Sequence, residues 1–279
     1  MSQGYQVAYI VSMTHSGSTL LDSLLGAHSE AIGIGEGFQL PSYAKLNRLK
    51  SSKMKLGNQC TCGAETIWQC PFWTAVEEAL QSIASKSLRD LQLNSQDPQR
   101  FAEDNRLFYD AIAKVSGARV IVDSSKSINR YKRLRRSGFA DVRPIFLLRD
   151  PRGQVYSIMK RTGTSEFLPA LRYCKNTVRM ILKLWNDSPI TVSYTSLSTK
   201  PRETLADVMR QLGLSIEDGQ LDWSHTVRHN LAGNAMRAQS DVRIRPDESW
   251  VAGLRRTQAN NIRLLAGPAQ YLAMCRWHF

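Results

Sequence analysis

A buried-strand pattern that runs directly into a glycine loop and a helix constrains the fold of this chain most. The apolar run YQVAYIV is typical of a strand covered on both faces, and SMTHSGSTLLDSLL continues it into a loop and a helix. Gly17 stands between Ser16 and Ser18, so the backbone is free to turn tightly. Because N–H groups at a helix start favour anions, we predict an anion site here, with simple helix capping by 16–19 as the alternative.

Short runs rich in Val and Ile alternate with helix-like segments along the rest of the chain. This alternation predicts one α/β domain over 1–279, with a central parallel sheet flanked by helices. We predict strands at 6–13, 118–123, 142–148 and 190–194. Helices are predicted at 18–28, 72–85, 100–116, 128–136, 152–161, 201–212 and 250–265. The segment 38–99 lacks a clear strand pattern and is predicted to be a mostly helical insertion.

The composition is basic, with 37 Lys and Arg against 24 Asp and Glu, a net charge of +13 and a pI near 9.8. Such an excess favours nucleic acid, an acidic membrane surface or a phosphorylated cofactor as partner. Since the basic residues are spread along the chain, apart from RYKRLRR at 130–136, a charged cleft is favoured over a nucleic-acid-binding tail. No basic leader or long apolar span is visible, so we expect a cytoplasmic enzyme without an integral membrane segment.

A second strand-to-helix junction occurs in the segment IFLLRDPRGQVYS. Arg149 stands at the strand end, and Ser157 lies eight residues later in the predicted helix. The planar guanidinium and the hydroxyl both suit a phosphate, whereas a surface ion pair between Arg149 and Asp150 is the alternative. Two anion sites at strand ends of one sheet indicate a ligand with two anionic groups. A nucleotide with phosphates at both ends of its ribose meets that requirement.

These paired motifs resemble the sulfotransferase family that uses 3′-phosphoadenosine 5′-phosphosulfate (PAPS). HSGSTLL is similar to the family's 5′-phosphosulfate loop, and LLRDPRGQVYS is similar to its 3′-phosphate motif. ITVSYTSLSTKPRETLADVMRQLGL resembles the segment with an adenine-contacting tyrosine, and RHNLAGNAMR resembles a late loop that closes over the nucleotide. The resemblance implies a P-loop-like domain that binds PAPS and releases adenosine 3′,5′-bisphosphate. The cofactor-binding residues that it implies are His15, Ser16, Gly17, Ser18, Thr19, Leu20, Arg149, Ser157, Tyr194, His229, Gly233, Asn234 and Arg237.

Sulfuryl transfer also requires cations at the leaving phosphate and a base for the acceptor. Family members usually place Lys or Arg where this chain has His15, which needs an anionic neighbour to be charged at pH 7. Lys126, just past a predicted strand, is predicted to share the task, with a solvated lysine as the alternative. The resemblance to the tyrosylprotein and carbohydrate branches implies Glu36, in AIGIGEGFQL, as the base. A solvated glutamate is the alternative, and His28 is the competing base, with helix capping as its other role.

The cysteines of CTCGAETIWQCPFW have no role in transfer chemistry. Cys60, Cys62 and Cys70 offer three ligands for a structural zinc, which Cys174 or a histidine would have to complete. A disulfide between two of them, or reduced thiols packed beside aromatic residues, are the alternatives. We predict no catalytic metal. The odd total of five cysteines argues against a disulfide framework.

Two other functional classes fit parts of the pattern. A P-loop kinase would bind a nucleotide at 16–19, but the G-x-x-x-x-G-K-[ST] spacing and its lysine are absent. A nucleic-acid-binding module would use the basic residues, but RYKRLRR offers only Tyr131 for stacking. We therefore predict transfer of a sulfuryl group to a hydroxyl, with an amine as the alternative acceptor. The segments 38–99 and 162–171 are predicted to shape the acceptor pocket; no prediction of oligomeric state follows.

Overall fold

Five parallel strands form the central sheet of the computed structural model, which describes residues 4–46, 60–230 and 243–277. The strand order across the sheet is β2-β3-β1-β4-β5. The strands are β1 (Gln6–Ser12), β2 (Ala31–Gly33), β3 (Val120–Lys126), β4 (Asp141–Leu148) and β5 (Ile190–Ser193). The predicted α/β class with a parallel sheet is therefore confirmed.

The central strand β1 pairs in parallel with both β3 and β4, and its side chains alternate between two apolar layers. Val7, Tyr9 and Val11 belong to one buried cluster, whereas Ala8 and Ile10 belong to the cluster on the other face. All five side chains are fully buried. Burial on both faces explains why this strand reads as an unbroken apolar run rather than as an alternation of polar and apolar residues.

Helices cover both faces of the sheet, and several begin at recognisable sequence signals. Asp97 caps the helix Pro98–Ser116 by accepting from the N–H groups of Gln99 and Arg100, and Ser127 caps the helix Ile128–Ser137 by accepting from the Arg130 N–H. The helices are α1 (Ser18–Leu25), α2 (Leu40–Leu46), α3 (Pro71–Ala84), α4 (Pro98–Ser116), α5 (Ile128–Ser137), α6 (Pro151–Thr162), α7 (Phe167–Leu184), α8 (Tyr194–Thr199), α9 (Pro201–Gln211), α10 (Ser249–Gly253) and α11 (Arg256–Trp277). None of the helices in the described ranges combines the length and the apolar character needed to cross a bilayer.

The structure differs from the sequence-based elements at several places. Strand β2 and helices α7 and α8 were not predicted, and Tyr194, predicted as the end of a strand, begins α8. The predicted C-terminal helix is divided into α10 and a longer α11. The first helix ends at Leu25, where Gly26 closes it, rather than at residue 28. Within the described residues of 38–99, the chain forms short 3₁₀ turns, α2, α3 and the start of α4, and no strand.

Candidate active site

The loop between β1 and α1 contains two residues with a left-handed backbone conformation. His15 and Gly17 both have left-handed φ values, 63° and 93°. A Cβ on Gly17 would lie 2.4 Å from Cδ2 of Tyr194, so this position requires glycine for its backbone and for its close contact. No side chain caps α1, and its first intrahelical bond runs from Leu21 N–H to the Gly17 carbonyl at 3.1 Å. The N–H groups of the first turn precede that bond, which favours the anion site over simple capping.

Arg149 follows the end of β4 and lies against this loop. Its Nη1 donates to the His15 carbonyl at 2.8 Å, and its guanidinium stacks 4.5 Å from the Tyr194 ring centroid. Its Nη2 donates to the Asp247 carboxylate at 2.9 Å. Burial opposes ionisation of Asp247, but hydrogen bonds from Ser249 and Arg149 outweigh it and lower the pKa of this carboxyl to about 2. Arg149 is therefore a buried guanidinium that already holds an anionic oxygen.

The alternative of a surface pair between Arg149 and Asp150 is not what the structure shows. Asp150 caps α6 by accepting from the Arg152 N–H at 2.8 Å, and its carboxylate also pairs with the Arg152 guanidinium at 2.6 Å. Arg149 is only 8% exposed. It fits beside the first turn of α6 because Gly153 has no Cβ, which would lie 3.1 Å from the Arg149 Nε.

Helix α6 brings Ser157 and Gln154 to the same loop. The Ser157 Oγ lies 3.2 Å from Nδ1 of His15, and Gln154 Nε2 donates to the Thr14 carbonyl at 2.9 Å. The two predicted anion motifs, which lie far apart in the sequence, therefore touch each other at the carboxyl ends of neighbouring strands. Open α/β sheets bind ligands at this edge.

The surroundings of His15 keep its imidazole uncharged. Burial lowers the pKa of His15 below its ordinary value. The positive charges of Arg161, Arg149 and Lys126 lower the pKa further. The anionic neighbour that a charged His15 would need is thus replaced by cations, so at pH 7 this ring acts as a hydrogen-bonding group.

Glu36 and Lys126 meet across the ends of neighbouring strands β2 and β3 and form an ion pair. Both side chains are mostly covered, at 19% and 16% exposure. Gln39 donates to the second carboxylate oxygen of Glu36, and Tyr43 donates to the Gln39 Oε1 at 2.9 Å. Glu36 is therefore held by a fixed set of partners instead of being a solvated glutamate, and the same applies to Lys126.

A bulge at the end of β3 directs Lys126 into this position. Tyr9 pairs with Asp123 and Val11 pairs with Lys126, so β3 has one more residue than β1 between these two pairs. Lys126 has φ 68°, a conformation that is strained for a residue with a long side chain. The Ser125 N–H donates to the Asp123 carboxylate at 2.8 Å and supports the bulge.

Asp22, which the sequence did not single out, positions the turn before Glu36. Its carboxylate is buried in α1 and accepts from the Gly35 N–H at 3.3 Å and from the Asn230 side chain. Burial raises the pKa of Asp22 to about 7. The aspartate in LLDSLL thus has a structural task that only the fold reveals.

Two predicted histidines lie outside this group. The His28 Nε2 donates to the Ser215 carbonyl at 2.9 Å and its Nδ1 accepts from the Glu30 N–H, so both ring nitrogens hold backbone groups. His28 follows the C-terminal end of α1, whereas the loop with His15 and Gly17 lies at its N-terminal end. His229, predicted to bind the nucleotide, has its ring among the sulfur atoms of Cys60, Cys62 and Cys70. Gly233, Asn234 and Arg237 lie outside the described residues.

Comparison with known proteins identifies the family of this chain. A sulfotransferase family model matches residues 8–218, which include Glu36, Lys126, Arg149 and Ser157. The fold is similar to the sulfotransferase domain of the Synechococcus PCC 7002 olefin synthase, with a TM-score of 0.55, 17% identity, and coverage of 98% of this chain and 96% of that one. A sulfotransferase domain from the curacin biosynthetic pathway gives a TM-score of 0.55 at 18% identity, with coverage of 95% and 98%. No curated protein sequence matches. The family match spans most of the chain, and the chain therefore belongs to the sulfotransferase family.

Proposed function

We propose that this protein transfers a sulfuryl group from PAPS to a hydroxyl acceptor. The observation that carries the proposal is the contact between the two anion motifs: Arg149 and Ser157 both reach His15 of the phosphate loop. A ligand that fills both motifs must carry two anionic groups a short distance apart. A nucleotide with a 5′ and a 3′ phosphate has that arrangement.

The residues at this edge fit such a nucleotide. The N–H groups at the start of α1 suit the 5′ end, while Arg149 and Ser157 suit the 3′-phosphate. Two buried hydroxyls near the strand ends, those of Ser12 and Ser125, have no hydrogen-bond partner within the described ranges, so donors remain for a ligand. When bound, PAPS supplies a sulfuryl group attached to a phosphate that departs as adenosine 3′,5′-bisphosphate.

The ion pair at the ends of β2 and β3 supplies the acid–base and electrostatic groups. We assign Glu36 to accept the proton of the acceptor hydroxyl, because its carboxylate is fixed by Lys126 and Gln39. Lys126 in turn pairs with Val11, at the end of β1 that leads into the loop with His15 and Gly17. Lys126 brings the positive charge that stabilises negative charge on a departing phosphate. His15, being neutral, contributes a hydrogen bond to the same oxygen rather than a charge.

The acceptor side of the proposal rests on the segments 38–99 and 162–171. Phe167 and Leu168 at the start of α7 expose about half of their surface, at 52% and 50%, and Leu171 exposes 52%. Exposed apolar side chains at the end of the helix pair α6–α7 suit an acceptor that has an apolar part next to its hydroxyl. An amine acceptor would use the same base.

A kinase is supported less well because its metal-binding groups are missing or occupied. The Walker lysine is absent from the loop, and Asp123 in the middle of β3 already accepts from the Tyr109 hydroxyl at 2.6 Å and the Ser125 N–H. That carboxylate is completely buried. A Mg²⁺ ion would have to displace both contacts.

The basic run 130–136 is partly engaged inside the protein, which supports a nucleic-acid-binding module less well. Arg130 is buried and donates to Asn105 and to the Leu93 carbonyl. Lys132 and Arg135 both pair with Asp187. Because these three residues already have partners within the protein, the run brings less free positive potential to the surface than its sequence suggests.

One set of ligands separates the three functions. We expect thermal stabilisation by adenosine 3′,5′-bisphosphate and little effect of ATP with Mg²⁺ or of a single-stranded oligonucleotide. The direct test is transfer of labelled sulfate from PAPS to a panel of phenols, sugars, peptide tyrosines and lipid alcohols. Stabilisation by ATP with Mg²⁺, but none by the bisphosphate, would contradict the proposal.

A further inference from the structure

Three cysteines and one histidine converge on the side of the molecule where α3 begins. The Cys70 Sγ lies 3.6 Å from both the Cys60 and the Cys62 sulfur atoms. The His229 Nδ1 lies 3.2 Å from the Cys70 sulfur and 4.0 Å from that of Cys60. All four atoms lie within 4.8 Å of one another. Nothing in sulfuryl transfer requires this cluster.

We propose that the cluster binds one structural zinc ion through four ligands: Cys60, Cys62, Cys70 and His229. Tetrahedral zinc with Zn–S bonds of about 2.3 Å and a Zn–N bond of about 2.0–2.1 Å separates its ligand atoms by about 3.8 Å for two sulfurs and about 3.6 Å for sulfur and nitrogen. The observed separations of 3.6 Å between sulfurs and of 3.2 and 4.0 Å to nitrogen scatter around these values. Four protein ligands leave no open position, so this ion has no catalytic task.

A disulfide explains the arrangement less well. A disulfide joins two sulfurs at about 2.05 Å and leaves a third thiol without a function. Here the Cys70 sulfur is equally far from two others, and an imidazole nitrogen completes the set. Three thiolates with one imidazole are a common zinc ligand set, whereas Mg²⁺ and Ca²⁺ prefer oxygen ligands.

The local backbone holds the first two cysteines in a tight turn. The Cys60 N–H donates to the Ala64 carbonyl at 2.9 Å, and the Gly63 N–H donates to the Cys60 carbonyl at 3.0 Å. Gly63 has φ 94°, which a residue with a side chain rarely adopts. The CTCG sequence is therefore built to bring the Cys60 and Cys62 side chains towards one point.

The fourth ligand comes from a distant part of the chain and is fixed by its own contacts. The His229 ring stacks on Phe72 with centroids 5.0 Å apart, and the Trp73 Nε1 donates to the His229 carbonyl at 2.8 Å. Thr61 bridges the two segments, since its Oγ1 donates to the Arg228 carbonyl at 2.6 Å and accepts from the Asn230 N–H. These bonds orient the imidazole nitrogen towards the thiols, as outer contacts do at zinc sites.

The ion would link the helical insertion to the segment at 228–230, which contacts the residues that support the turn before Glu36. Asn230, next to His229, contacts the Asp22 carboxylate, and Asp22 holds the turn before Glu36. A metal that ties together segments so far apart in sequence stabilises the folded state by its binding free energy. The proposal does not depend on the sulfotransferase reaction, and its tests do not use it.

The first test is metal content after purification without added metal. We expect about one zinc per chain by plasma mass spectrometry, loss of zinc in Cys70→Ser and His229→Ala, and retention in Cys174→Ser, a cysteine in α7 outside the cluster. Replacement of zinc by Co²⁺ should give the thiolate charge-transfer absorption and intense visible bands of a tetrahedral site. His229→Cys should keep the metal and shift those bands, which a purely structural histidine would not do.

Labelling of the wild-type chain keeps the test valid if a variant fails to fold. Cys174 and Cys275 should react with an alkylating reagent at any time, while Cys60, Cys62 and Cys70 should become reactive only after a chelator removes zinc. Unfolding temperature should fall with chelation and recover when zinc returns. The proposal is overturned if reduced protein contains no zinc and takes none up, or if intact mass and peptide mapping show a disulfide within the cluster.

Discussion

Arg149 makes three separate contacts, and its replacement by alanine tests how the nucleotide is bound. Nη1 supports the loop between β1 and α1 through the His15 carbonyl, Nη2 donates to Asp247, and the flat face of the guanidinium lies on Tyr194. Arg149→Ala removes the loop support for any nucleotide that uses the 5′ end of the site. It also removes the proposed contact to a 3′-phosphate, which only adenosine 3′,5′-bisphosphate carries.

The expected losses follow from these contacts. The hydrogen bond to the His15 carbonyl is worth about 1 kcal/mol, so its loss should weaken the binding of both nucleotides by roughly fivefold. A charge-assisted contact to the 3′-phosphate is worth about 1.5–3 kcal/mol. Part of this gain is offset because the 3′-phosphate must displace the Asp247 carboxylate from Arg149. The Asp247 side chain is 44% exposed, and ion pairs of exposed groups are worth about 0.2–1 kcal/mol. The bisphosphate should therefore lose about 1–2 kcal/mol more than adenosine 5′-phosphate, or roughly 5- to 30-fold in Kd.

Titration calorimetry with both nucleotides, at one salt concentration, measures this difference. Arg152→Ala is the matched control, because it removes an equal charge from a neighbouring arginine whose partners are Asp150 and the ring of Trp250. Asp247→Asn should act in the opposite direction and tighten the bisphosphate selectively. Equal losses for the two nucleotides in Arg149→Ala would refute the assignment of the 3′-phosphate to this residue.

Three further predictions concern the groups at the other end of the site. Glu36→Gln should lower turnover by about 10²–10⁴ and leave the Kd for adenosine 3′,5′-bisphosphate unchanged; normal turnover in a sulfate-transfer assay would exclude Glu36 as the base. Lys126→Ala should lower kcat by about 10²–10³ and nucleotide affinity far less, whereas His15→Lys should retain activity; intact kcat in Lys126→Ala would move the cation elsewhere. The pKa of Asp22 is about 7 in the folded state against an ordinary value of 3.8, so between these pH values the folded chain binds one proton more than the unfolded chain. The free energy of unfolding of the wild type should therefore fall as pH rises through this window. Asp22→Asn should remove that decline, and melting temperatures recorded from pH 4 to pH 8 that stay parallel in the two proteins would contradict it.

The sequence was sufficient to predict that the two anion motifs lie at one edge of the sheet. Long apolar runs marked β1, β3 and β4, and parallel strands bring their carboxyl ends to one edge, so Gly17 and Arg149 could be expected to meet. Strand β2 has only three residues, too few for a periodic pattern. Helix α7 begins after Glu166, which does not cap it with its side chain, so the sequence carries no capping signal for the start of this helix.

Contacts between distant segments were beyond what the sequence could predict. The pairing of Glu36 with Lys126 depends on β2 lying beside β3, and no local pattern determines strand order. The meeting of His229 with the cysteines depends on tertiary packing in the same way. The one signal for it was chemical, because three cysteines leave a zinc site one ligand short.

The central position of β1 has a consequence for how the chain is made. Its two neighbours in the sheet begin only at Val120 and Asp141. Although β1 precedes the other four strands in the chain, it therefore lacks one of its two partner strands until β4 has been synthesised. At ~5–20 residues added per second, the interval between the end of β1 and the end of β4 lasts roughly 7–27 s. During that time an apolar strand with both hydrogen-bonding edges open is a template for intermolecular pairing. Yield on expression should therefore depend on how well chaperones cover residues 5–11 until translation has passed Leu148.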